Sequence, residues 1–101
     1  MATIHHPDID SVPLSALLAA LSDPTRLEIV GKLAAGPCSC AEMDIDASKS
    51  ALSHHVKVLR QAGLIHQRAE GTARITTLRQ DELEARFPGL LGSVLNAEGP
   101  I

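Results

Sequence analysis

Aromatic side chains are nearly missing from this chain: Phe87 stands alone, with no Trp and no Tyr among 101 residues. Proteins that hold single-stranded nucleic acid stack bases on such rings, so their scarcity argues against that mode of binding. Hydrophobic residues still make up 45% of the chain. The core must then come from Leu, Ile, Val and Ala, which suits close-packed helices. No apolar run approaches the ~20 residues of a membrane span. The opening MATIHHPDID has no basic stretch followed by an apolar one, so no secretion signal is expected. Cysteine is scarce too: Cys38 and Cys40 are separated by one residue and cannot easily bridge each other, and a reduced, cytoplasmic protein is the simplest expectation. There is no Gly-rich phosphate loop and no nucleophile paired with an orienting base, so catalysis is not expected. A chain of this length is one domain, small enough that a partner subunit would help it bury apolar surface.

A further absence carries more information. No carboxylate occurs between Ala47 and Ala69. Placed at 100° per residue and stopped at Gly63, the stretch SKSALSHHVKVLRQAGLI puts Leu52, Val56 and Leu59 on one face. Ser50, Ser53, His54, Lys57 and Gln61 gather on the other. Solvated helix faces usually mix Glu with Lys to gain i,i+4 pairs; this one is polar and purely cationic. Short donors beside a Lys suit a helix lying in a major groove, close to base edges and flanked by phosphates. Net charge alone hides this. The chain totals −3, with 9 Lys and Arg against 12 Asp and Glu. Residues 47–79, however, hold Lys49, Lys57, Arg60, Arg68, Arg74 and Arg79 against Glu70 alone, a net of +5, and the remainder carries −8. A cationic third on an acidic body is the footprint of one surface meeting a polyanion.

Residues 1–12 are polar and expected to be flexible, with His5, His6 and Pro7 outside any periodic pattern. The domain then runs over residues 13–97, with a tail at 98–101. Leu14, Leu17, Leu18 and Leu21 form a short amphipathic helix. Asp23-Pro24 restarts the chain with an N-cap carboxylate and a Pro at the first helical position. Leu27, Val30 and Leu33 point inward until Gly36-Pro37 ends that helix. Ser39 and Glu42 have capping-box spacing, which predicts a brief helix through Met43 towards Ile45. Asp44–Asp46 turn the chain into the cationic helix. Leu64–Arg68 and Ala73–Leu78 are β-prone, with a hairpin tip at Glu70-Gly71-Thr72. A last helical region begins near Gln80, is interrupted at Phe87-Pro88, and resumes to about Asn96 with Leu90, Leu91, Val94 and Leu95 on one side. The order helix, helix, helix, helix, hairpin, helix is a mainly α (α+β) winged helix-turn-helix with a two-stranded β-hairpin wing.

Four pieces of the chain then stand in a telling order: LSDPTRLEIVGKLAAG, the pair Cys38-Ser39-Cys40, SKSALSHHVKVLRQAGLI, and a wing from Arg68-Ala69-Glu70-Gly71 to Leu78. Together, over about Leu14 to Arg79, they resemble the ArsR/SmtB family of bacterial transcriptional repressors. The resemblance implies a homodimer that binds a palindromic operator in double-stranded DNA, with half-sites about one helical turn apart. It makes Ala47–Ala62 the recognition helix and Arg68–Arg74 the wing. Ser48, Lys49, Ser50, Ser53 and His54 become the expected groove contacts, and Lys57, Arg68 and Arg74 the phosphate contacts. His55 lies at the rim of the apolar stripe and is open to either a DNA contact or a packed role. The first and last helices imply a dimer interface of Leu14, Leu17, Leu18, Leu21, Leu90, Leu91, Val94 and Leu95. Between Cys40 and Ser53 the chain is one residue shorter than the family pattern, which puts the turn geometry in question.

Family members often couple DNA release to a metal, so a transition-metal or soft-metal effector acting through Cys38 and Cys40 is one alternative. Thiol redox sensing at the same pair is another. Two thiols are fewer than a zinc or arsenite site needs, and cysteine is also a small buried hydrophobe; the metal site stays unassigned. A winged helix serving only as a protein-interaction module is the remaining alternative, though such a module would tolerate Glu on the outer face. Histidine titrates near neutrality, so His54 and His66 are candidates for pH-dependent binding.

Overall fold

A computed structural model describes residues 4–39 and 42–98 of the chain. Two short helices come first, α1 (Leu14–Ala20) and α2 (Pro24–Ala34), preceded by a single 3-10 turn at Ile9–Ser11. A two-residue strand β1 (Cys38–Ser39) leads through an irregular stretch to α3 (Lys49–Gln61), then β2 (Ile65–Glu70), β3 (Ala73–Leu78), α4 (Gln80–Arg86) and α5 (Leu90–Glu98). Among the described residues no helix is long and apolar enough to cross a membrane.

Local chemistry sets the ends of these elements. The Asp23 carboxylate accepts the Arg26 N–H at 3.0 Å and Pro24 opens α2, the expected cap. That hydrogen bond holds the Asp23 carboxyl below the usual carboxylate range. Ser48 does the same for α3, its hydroxyl accepting the Ala51 N–H at 3.1 Å. The far end of α3 closes with Gly63 at φ +82. The Gly63 N–H reaches Arg60 O at 3.1 Å and the Leu64 N–H reaches Leu59 O at 3.0 Å, which is the Schellman arrangement. Leu59 and Leu64 are both fully buried beside it.

One apolar core joins α1, α2, α3 and the base of the sheet, with Leu17, Ile29, Val30, Leu33, Leu59, Leu64 and Ile65 almost completely buried. The sheet order is β1-β3-β2, all antiparallel. β2 and β3 pair in register from Ile65 with Leu78 to Glu70 with Ala73, and Gly71 makes the tip at φ +62. The hairpin is therefore as expected, and β1 is an addition: Cys38 faces Thr76 and Ser39 faces Ile75. Two residues are too few to show any periodicity.

The brief helix expected from Ser39 to Ile45 does not extend through its described part. Cys40 and Ala41 lie outside the described residues. The Ser39 hydroxyl does donate to Glu42 Oε1 at 2.8 Å, but Ser39 sits in a strand and residues 43–47 are not helical. Their backbone folds by tight turns, Ile45 N–H to Met43 O at 3.0 Å and Ala47 N–H to Ile45 O at 2.9 Å. Met43 is buried and Ile45 half-buried, while Asp44 and Asp46 are exposed. That alternation has period two, which an extended chain satisfies and a helix does not.

The segment before α1 also packs on the domain in its described part. Val12 is 3% exposed, Ile9 lies against the core, and the Arg79 guanidinium donates to Pro7 O at 3.0 Å. Met1–Thr3 and, at the other end, Gly99–Ile101 lie outside the described residues.

Candidate nucleic-acid interface

The outward face of α3 presents Lys49, Ser50, Ser53, His54, Lys57 and Gln61, all exposed, with Ser48 exposed at its cap. Val56 and Leu59 are buried on the opposite side, and Leu52 is half-buried. A helix with this division of faces offers hydroxyls, an imidazole and two ammonium groups to whatever lies against it. Beyond it stands the wing, where Arg68 and Arg74 are both exposed. They are not equivalent. The Arg68 guanidinium donates to Glu70 Oε2 at 3.1 Å, so part of its charge is already met. An open cleft between α3 and the wing is lined by Lys49, Ser53, Lys57, Arg60, Thr72 and Arg74, with no acid among its described lining. The fold thus gathers Lys49, Lys57, Arg60 and Arg74 along one cleft, whereas Arg68 is not part of its lining and sits beside His66 and Ala69.

His55 stands apart from the other expected contacts. Its Nδ1 lies 3.1 Å from Arg26 Nη1, and since a guanidinium only donates, the imidazole accepts there. Asp23 Oδ2 follows at 4.0 Å, too far for a hydrogen bond. His55 is half-buried against α2, so the structure places it behind the outward face, in the packed role left open above. Arg26 was not singled out from the sequence as a contributor. Its Nε donates to Ala20 O at 2.6 Å and an Nη reaches Ala19 O at 3.5 Å. One guanidinium therefore ties the end of α1 to the middle of α3.

Gln67 also went unnoticed as a linker. It is 4% exposed; its Oε1 accepts from Arg60 Nη1 at 2.8 Å and its Nε2 donates to Thr76 Oγ1 at 3.4 Å. This pins the wing base to the last turn of α3. A buried Gln and Thr in alternating register with apolar residues were the only signal.

Of the eight residues expected between subunits, Leu17, Leu21 and Leu91 are 1%, 7% and 8% exposed and already belong to the core. They pack into the single chain's own core, whereas Leu14 and Leu18 of α1 are 45% and 46% exposed. Leu90, Val94 and Leu95 are half-buried. Cys38 is half-buried, with its thiol donating to Ser39 O at 3.2 Å. Cys40 lies outside the described residues, among which no group of three His, Cys, Asp or Glu side chains is placed to hold a metal.

Comparison with known proteins agrees with this geometry. A family model described as a helix-turn-helix domain matches residues 21–68. The HTH-type transcriptional regulator Rv2034 of Mycobacterium tuberculosis is 43% identical over 68 residues, a match spanning 65% of this chain and 64% of that protein. The arsenical resistance operon repressor of Staphylococcus xylosus is 37% identical over 73 residues, 70% of each protein. The solved ArsR-like transcriptional regulator from Rhodococcus sp. RHA1 superposes with a TM-score of 0.67 at 27% identity, covering 84% of each chain. With its carboxylate-free helix, its wing and these relatives, the chain belongs to the ArsR family of winged helix-turn-helix, DNA-binding transcriptional regulators.

Proposed function

We propose that the protein is a cytoplasmic repressor that binds a palindromic operator as a homodimer, one recognition helix entering the major groove in each half-site. Ser48, Lys49, Ser50, Ser53 and His54 lie against base edges and the adjoining backbone. Lys57, Arg68 and Arg74 hold phosphates on either side. His55 sets the angle of the helix through Arg26 and does not reach the DNA. The observation that carries this reading is the exposure of one carboxylate-free strip on α3 facing Arg74 of the wing across an open cleft. Repression is suggested by the name of the Staphylococcus xylosus relative. The two-fold partner docks on Leu14, Leu18, Leu90, Val94 and Leu95, an apolar face that is exposed or half-covered in the single chain. Leu17, Leu21 and Leu91 support that face from beneath.

Selection of bound sequences from random duplex DNA, followed by a salt titration, tests the proposal. A recovered inverted repeat with half-sites about 10 base pairs apart is expected. Binding should weaken with salt by a log–log slope of about −0.9 for each phosphate contact. A recovered site with no repeat, or binding indifferent to salt, would overturn it.

A further inference from the structure

Among the described residues β2 pairs with β3 alone and so forms one edge of the sheet. The segment from Ile4 to Val12 runs beside that edge as a strap. The Gln67 N–H donates to His6 Nε2 at 2.9 Å, and the His6 ring stacks on His66 with centroids 4.1 Å apart and planes 16° from parallel. Further along, Pro7 O accepts from Arg79 and Val12 O accepts from Arg86 Nη2 at 2.7 Å. Ile9 and Val12 lie over Gly63, at the joint where α3 gives way to the wing. Through Gln67 the strap therefore meets the same residue whose side chain holds Arg60 of α3 and Thr76 of β3.

We propose that His6 is a positioning residue for the wing: only its neutral ring can accept the Gln67 N–H, so protonation unlatches the strap and makes operator binding acid-sensitive. A neutral imidazole has one acceptor nitrogen, and an imidazolium has none. The proton would also enter a cationic corner. His66 faces the ring from β2, Arg60 from the end of α3, Arg79 from the start of α4, and His5 from the strap itself. The nearby acids, Glu82 and Asp8, act on Arg79, which Glu82 grips at 2.8 Å. Burial first, and then these cations, push the His6 imidazole below its ordinary range. The latched state thus binds the proton less well than the open one. Its stability is complete above the ordinary histidine range and declines as the pH falls through it.

The part of this inference that concerns DNA rests on the proposed operator binding, so two readouts are needed. The first follows the Gln67 amide of the full chain by NMR between pH 8 and 5. In the wild type, its shift should titrate with the His6 ring. Its exchange protection, corrected for the intrinsic pH dependence of exchange, should fall several-fold. In His6→Gln, which keeps an acceptor that does not titrate, the Gln67 amide should lose that titration. The second compares affinity for a selected duplex at pH 7.5 and 5.5. Both proteins should bind alike at pH 7.5, and the wild type should lose several-fold more on acidification. A Gln67 amide that ignores pH in the wild type, or identical pH profiles for the two proteins, would overturn the proposal. Failure of both proteins to bind any duplex at pH 7.5 would remove the DNA reading, and the Gln67 titration would still decide the latch.

Discussion

Glu70 is the one acid in the cationic third of the chain, and replacing it with Gln should tighten operator binding. Its carboxylate sits 3.1 Å from Arg68 Nη2, with the two side chains 62% and 51% exposed. An ion pair this open contributes at most about 1 kcal/mol to folding, so Glu70→Gln should leave the melting temperature nearly unchanged. In the proposed DNA complex the same carboxylate would act twice, repelling phosphate and competing with it for the Arg68 guanidinium. Freeing Arg68 is worth about 0.5 kcal/mol per protomer, hence roughly fivefold in affinity for a dimer. If the Arg68 phosphate contact of each half, weakened by Glu70, then becomes complete, the salt slope should steepen by up to about 1.8. The reciprocal expectation concerns the two wing arginines. Arg68→Gln should cost less than Arg74→Gln in the wild type, and the two should converge once Glu70 is gone, a coupling that a double-mutant cycle isolates. Fluorescence anisotropy with a selected duplex at several salt concentrations measures all of this. Weaker binding by Glu70→Gln with an unchanged slope, or an Arg68 loss as large as that of Arg74, would refute the reasoning.

Three further outcomes are expected. Gly63→Ala places a Cβ 2.9 Å from Val12 Cγ2 at φ +82; the left-handed backbone alone costs about 1–2 kcal/mol, so thermal melting should drop by roughly 5–15 °C, and an unchanged melting temperature would contradict the packing described. Leu18→Glu should leave a folded monomer by light scattering that no longer binds the duplex tightly, whereas Leu17→Glu, at a site 1% exposed, should fail to fold; a dimeric Leu18→Glu protein would count against the proposed partner face. The Asp23 carboxyl is held low chiefly by the Arg26 N–H, and Glu82 by the Arg79 guanidinium. Their stabilisation is therefore complete above the ordinary carboxylate range and lost as the pH falls through and below it. Chemical denaturation across that range should show the loss in the wild type and a smaller one in Asp23→Ala.

What could be read from the residues was what helical periodicity and turn chemistry write locally. Asp23-Pro24 and Gly63 fix the ends of their helices through the backbone, so those boundaries were visible. The division of α3 into buried Val56 and Leu59 against exposed Ser53 and Lys57 follows from spacing alone. Contacts between distant parts of the chain were not visible. His55 lay on the rim of the wheel, and its partner Arg26 stands 29 residues away. His6 belonged to no pattern, because its role depends on a backbone N–H 61 residues along the chain. β1 was hidden by its length, and the 43–47 stretch by a capping box whose side chains do meet while the backbone turns elsewhere. The inward leucines of α1 and α5 were grouped with the outward ones because a monomer core and a partner face share the same residue types.

The most direct measurement is an NMR titration of the protein with a selected duplex, following every assigned signal. Shifts and broadening should concentrate at Ser50, Ser53, His54, Lys57 and Arg74, while Glu28 and Asp81 on the acidic body stay still. If the duplex instead moved the acidic body or the Leu14 and Leu18 face, and left the α3 strip silent, the assignment of that strip to DNA would be wrong.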